Sequence, residues 1–152
     1  MRIYLICPVR NADADTLAMV EGYVRDLEVK GHMVHFPPRD VDQDDETGCT
    51  LCSHHLSAMK LADEVHAFWD VTSTGSHFDL GMAYALSKKM VIAHLFQPDR
   101  EGKSYVKVMQ DMDGRDYAPH PEAVAFCRPH HRQMSMEISL SVKEGVNVCV
   151  NV

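Results

Sequence analysis

Two carboxylates, Asp70 and Asp79, bracket a run rich in hydroxyls and glycine, Asp70-Val71-Thr72-Ser73-Thr74-Gly75-Ser76-His77-Phe78-Asp79. The apolar Phe68-Trp69 before it reads as a buried strand that breaks into a turn, and Leu80-Gly81 after it belongs to the segment that follows the turn. The turn then opens a helix over Phe78 to Ser87, with a carboxylate in its first turn. Backbone N–H groups and the positive end of a helix converge at such a junction, which suits an anionic or sugar-like ligand. One carboxylate can hold that ligand while the other attacks it.

Each of these residues also has a purely structural reading. Ser76-x-x-Asp79 fits a capping box, with Ser76 as N-cap and Asp79 reaching back to a backbone N–H. Against this, a carboxylate near a helix N-terminus is favoured in its charged form, as a nucleophile requires. Asp70 can serve as a turn residue for the next backbone N–H groups, or as a ligand contact. The hydroxyls of Thr72, Ser73 and Ser76 around Gly75 make either a tight turn or a phosphate or sugar contact. Tyr4 is by default a core tyrosine with one bonded hydroxyl. Arg10 is either a surface arginine or a fork for phosphate. Cys49-x-x-Cys52 followed by His54 and His55 invites a metal, but no second ligand pair stands at finger spacing, so no metal is expected.

The elements that must position these groups alternate along the chain. Ile3 to Cys7 is a continuous apolar run ended by Pro8, as in a central parallel strand. Leu17, Val20, Tyr23, Val24 and Leu27 recur at helical spacing over 14–30, closed by Lys30-Gly31. His32 to Phe36 reads as a second strand stopped by Pro37-Pro38, Leu51 to Leu61 as a helix, and Asp63 to Trp69 as a third strand. Met90 to Phe96 makes a fourth strand, Tyr105 to Met112 a short helix, and Val124 to Cys127 a fifth strand. The tail over 137–152 alternates as Ile138, Leu140, Val142, then Val146, Val148, Val150, which predicts a hairpin.

This alternation argues for a single α/β domain over 1–152, with a doubly wound parallel sheet of flavodoxin-like or Rossmann-like order in its core (2–127). With strand order 2-1-3-4-5, the reversal falls between strands 1 and 3, where ligands bind in open α/β sheets. Cys7-Pro8-Val9-Arg10 leaves the first of those strands and Asp70-Val71-Thr72-Ser73 the other. Topology therefore nominates one crevice for Pro8, Arg10, Asp70, the Thr72–Ser76 turn and Asp79.

The 152 residues carry a net charge of −7, which argues against a nucleic-acid partner. Part of the acidity is the run Asp40, Asp42, Asp44, Asp45 and Glu46, most simply a solvated loop. No apolar stretch approaches the ~20 residues of a membrane span. The five cysteines are an odd number at scattered spacings, which predicts a reducing, cytoplasmic setting.

Over roughly residues 2 to 100 the chain resembles the nucleoside 2-deoxyribosyltransferase family, with its relatives that hydrolyse nucleoside 5′-monophosphates. The carriers are Ile3-Tyr4-Leu5-Ile6-Cys7-Pro8, Leu61-Ala62-Asp63-Glu64-Val65 and, most specifically, Gly75-Ser76-His77-Phe78-Asp79-Leu80-Gly81-Met82-Ala83-Tyr84-Ala85-Leu86. The resemblance implies an enzyme that cleaves or transfers at an N-glycosidic bond through a covalent glycosyl-enzyme. It places Asp79 at the nucleophile, Asp70 at the acid that holds base or sugar, and Tyr4 at the tyrosine that orients the nucleophile. Arg10 and Ser76 fall at a 5′-phosphate site. It implies no cofactor, a nucleoside or nucleotide substrate, and a homodimer or larger assembly whose neighbouring subunit supplies a polar residue, for which Asn147 and Asn151 are available. The chain departs from the family in carrying Asp where Glu is usual. The alternative is a non-catalytic nucleotide-binding or sensing domain, in which Asp79 only caps its helix.

Overall fold

The computed structural model describes residues 1–10 and 12–113. The expected fifth strand at 124–127, the hairpin at 137–152, Asn147, Asn151 and the extent of a single domain over 1–152 lie outside the described residues. Among the described residues four strands form one sheet: β1 (Arg2–Ile6), β2 (Met33–His35), β3 (Glu64–Trp69) and β4 (Lys89–Leu95). Their order is β2-β1-β3-β4 and all pairs are parallel. This is the doubly wound α/β arrangement expected from the alternation of apolar runs and helical segments.

Side-chain alternation along β1 divides the core into two layers. Ile3, Leu5 and Cys7 pack with Val20, Val24 and Leu27 of α1 (Ala14–Val29), together with Val34, Phe36 and Phe68. Tyr4 and Ile6 turn to the other face. There they join Met59 of α3 (Cys49–Leu61), Leu80 and Ala83 of α4 (Thr74–Ala85), and Val106, Met109 and Met112 of α5 (Tyr105–Met112). The chain leaving β1 runs to α1 on one face of the sheet and the chain leaving β3 to α4 on the other, so a crevice opens beyond the carboxyl ends of these two strands.

Several boundaries differ from expectation for local reasons. α1 ends where Lys30-Gly31 predicts: Gly31 adopts φ 85°, its N–H reaches the Glu28 carbonyl at 2.9 Å, and the N–H of His32 reaches Leu27 at 3.1 Å. α3 begins two residues early at Cys49, behind Gly48 at φ 72°. Pro37-Pro38 stops β2 but also opens the short helix α2 (Pro37–Asp40), because proline is preorganised for a first helical turn. The Asp40 carboxylate accepts the Phe36 N–H at 2.8 Å and pairs with Arg39, while Asp45 accepts the Leu51 N–H at 2.9 Å. Two members of the acidic run thus fasten the chain between β2 and α3, and Asp42, Asp44 and Glu46 are exposed.

The largest correction concerns α4, which starts at Thr74 rather than Phe78. Ser73 is its N-cap, accepting the Ser76 N–H at 3.4 Å. Ser73-x-x-Ser76 and Ser76-x-x-Asp79 have the same spacing, and the earlier pair takes the cap. Asp79 therefore lies in the second turn and does not close a capping box.

Candidate active site

Asp79 projects from α4 toward the sheet and is 7% exposed. Its carboxylate is held from two other elements. The Tyr4 hydroxyl of β1 donates to Oδ2 at 2.9 Å, and Nδ1 of His55 in α3 lies 3.2 Å from Oδ1. Neither bond is local, so the carboxylate is turned away from its own main chain. The helix dipole acts mainly on the first turn; here the orienting groups are these two side chains. Burial, with the Asp79 charge beside it, pushes the Tyr4 phenol far above its usual value, so it stays a hydrogen-bond donor. Burial and Asp79 likewise push the Cys7 thiol up to about 12.

Asp79 forms part of the wall of a cleft of about 230 Å³. Pro8 and Arg10 line it from the chain leaving β1, and Asp70, Thr72, Ser73, Gly75 and Ser76 line it from the turn between β3 and α4. The crevice nominated by topology is therefore present and gathers the expected residues. Tyr4 lies in the core beneath and reaches the cleft through Asp79.

Asp70 is both a turn residue and a cleft residue. Its Oδ1 accepts from Thr72 N at 2.8 Å, Thr72 Oγ1 at 2.7 Å and Gln97 Nε2 at 3.0 Å. Partial burial works against its charge, but the bonds from Thr72 and Gln97 outweigh that and hold the carboxyl below its usual range. An ionised Asp70 is a better acceptor for a ligand N–H or a developing cation than a proton donor. Gln97 also accepts the Val71 N–H at 3.0 Å, which fixes the turn.

At the head of α4 the amides of Thr74 and Gly75 meet no acceptor among the described residues, as the first amides of a helix do unless capped. Arg10 is exposed at the rim and pairs with no described carboxylate. Ser76 is buried, and its hydroxyl donates to Ser73 Oγ at 2.9 Å. Apolar surface comes from Pro8, Val9, Pro37, Leu51 and the exposed ring of Phe78.

Several cleft residues were not nominated by the sequence, His55 and Gln43 among them. His55 stood out only as a metal candidate, yet α3 turns it onto Asp79 while exposing its neighbour His54. Among the described residues no three His, Cys, Asp or Glu side chains gather to hold a metal. Gln43 lines the cleft from the polar loop, its amide donating to the Pro37 and Val41 carbonyls at 3.0 and 2.9 Å. Nothing local marks a glutamine in an acidic loop as part of a site.

Solved structures share this fold, among them the following two. A 2-deoxyribosyltransferase from the psychrotolerant bacterium Bacillus psychrosaccharolyticus matches with a TM-score of 0.56 and 23% identity, covering 78% of this chain and 87% of that one. A CMP N-glycosidase from Clostridium botulinum matches with a TM-score of 0.51 and 22% identity, covering 79% and 89%. No protein-family model and no curated protein matched the sequence. Among the described residues no helix is long and apolar enough to cross a membrane.

Proposed function

We propose that this chain is an enzyme of the nucleoside 2-deoxyribosyltransferase type. It cleaves or transfers at the N-glycosidic bond of a nucleoside or, as the site favours, a nucleoside 5′-monophosphate. The observation that carries this reading is the Asp79 carboxylate, set in the wall of the switch-point cleft and gripped by Tyr4 and His55 rather than by its own backbone. Both structural neighbours are named for reactions of this class.

In the proposed reaction an oxygen lone pair of Asp79 forms a bond to the anomeric carbon as the bond to the base nitrogen breaks. The electron pair leaves with the base, which takes up a proton. Water or a second base then attacks the same carbon, releases a proton, and the ester oxygen departs with its pair to restore the carboxylate. Asp70, ionised by its hydrogen bonds, accepts from the ligand and offsets the positive charge that develops on the sugar. The free amides of Thr74 and Gly75 and the unpaired Arg10 fit a 5′-phosphate.

A screen of nucleosides and 5′-monophosphates for free base, with and without an added acceptor base, tests this directly. Release is expected, with monophosphates preferred, and Arg10→Ala removing that preference. Asp79→Asn should lower release by about 10³-fold or more with the melting temperature little changed. Tight binding without base release would instead identify a binding or sensing domain, and full turnover in Asp79→Asn would remove Asp79 from the nucleophile's role.

A further inference from the structure

His55 is a polar side chain at the cleft that the reaction above leaves without a part. It is 7% exposed, and its Nδ1 faces the acceptor-only oxygen of a carboxylate, so Nδ1 carries a proton whether the ring is neutral or charged. Its Nε2 is buried and meets no partner among the described residues. A buried polar atom left unpaired is destabilising, so the ring is held here against that cost. It stands edge-on to the Tyr4 ring, with centroids 5.9 Å apart, and His35 stacks on Tyr4 at 5.3 Å. The two groups that grip Asp79 thus pack against each other.

We propose that His55 is a positioning residue for Asp79, and that aspartate and histidine act as a unit where the resembled family carries a glutamate. The inference rests on Asp79 being the nucleophile. The terminal torsion of an aspartate is broad, and Tyr4 alone would leave the carboxylate free to swing about its bonded Oδ2. A second donor on Oδ1, from a different element, removes that freedom. This matters because an error of ~1 Å in a reacting group can cost about 10²-fold in rate. A methylene inserted at Asp79 would advance the carboxylate by about 1.5 Å into the Tyr4 hydroxyl and the His55 ring. Glutamate then fits only if one of them withdraws. The Nδ1 proton stays on the imidazole throughout, so His55 acts by direction rather than by acid or base transfer.

The test combines kinetics with imidazole nitrogen NMR. His55→Ala should lower kcat by about 10- to 100-fold with KM little changed, and His55→Asn, which keeps a donor near the Nδ1 position, should recover much of the loss. Asp79→Glu should be slow alone and faster when combined with His55→Ala. The NMR spectrum should show a protonated Nδ1 on His55 whose signal moves in Asp79→Ala. An unchanged kcat in His55→Ala, a loss confined to KM, or additive effects in the double variant would overturn the proposal. A bare Nδ1, or one indifferent to Asp79→Ala, would overturn it even if base release is robust. Absence of base release from every substrate, with the Nδ1 signal as expected, would remove the functional reading and this role together.

Discussion

Tyr4 is a phenol buried in the core whose single proton is committed to one carboxylate oxygen. Such a bond to a charged group contributes about 1.5–3 kcal/mol, so Tyr4→Phe should slow base release by about 10- to 100-fold. The ring and its stacking on His35 remain, but the lost buried bond should also lower the melting temperature by several degrees; loss of stability without loss of rate would make Tyr4 a packing residue only. At this scale the positions of Asp70 and Tyr4 were legible because they stand at a strand end and a strand centre, and that of Asp79 because it closely follows the turn after β3, although it lies in the second turn of α4 and not at its opening. Their partners were not. His55 sits mid-helix between an exposed and a half-buried residue, and only the rotation of α3 decides which histidine meets Asp79.

α4 illustrates what can and cannot be read at the level of an element. Its apolar stretch and its motif were plain, but two serines at competing cap positions left its start ambiguous by one turn. Its end is set by backbone geometry. Leu86 is followed by Ser87 at φ 52°, with the Ser87 N–H reaching the Tyr84 carbonyl and the Lys88 N–H reaching Ala83, each at 3.0 Å. The same pattern closes α1, where glycine occupies the left-handed position. A non-glycine residue there costs about 1 kcal/mol, so Ser87→Gly should stabilise the protein by about that amount. Denaturant unfolding would measure it, and a neutral or lower midpoint would show that the serine side chain offsets the strain. Pro37-Pro38 misled in the opposite sense: the dipeptide that ends a strand is equally suited to begin a helix, and only Asp40 bonding back to Phe36 decides between them.

Among the described residues, the shifted histidines and carboxyls all point one way. Burial depresses His35 and His66. At Asp40 and Asp70 burial is outweighed by hydrogen bonds, while a Thr16 bond lowers Asp13, the Leu51 amide lowers Asp45 and Lys89 lowers Glu64. Every one of these groups binds its proton less readily when folded. Their contribution is complete above the unfolded values, about 6.5 for histidine and about 4 for carboxyls, and is lost as pH falls through the folded values. The melting temperature should therefore fall on acidification from pH 7, first through the histidines and more steeply below about pH 4. A flat or rising profile over that range would contradict these assignments. The doubly wound class followed from alternating periodicity and the crossover rules, which depend on the chain as a whole, and the sheet order β2-β1-β3-β4 agrees with the flavodoxin-like order taken with it. The placing of Gln43 at the cleft and of Gln97 against Asp70 depends on loop paths that no periodicity encodes.

The bond between Tyr4 and Asp79 spans 75 positions of the chain. One end lies in the first strand laid down and the other on a helix that follows the third, so neither half of the polypeptide contains the pair. The cleft comes into being only when those distant stretches close on each other, and recovery of function after denaturation would register that closure.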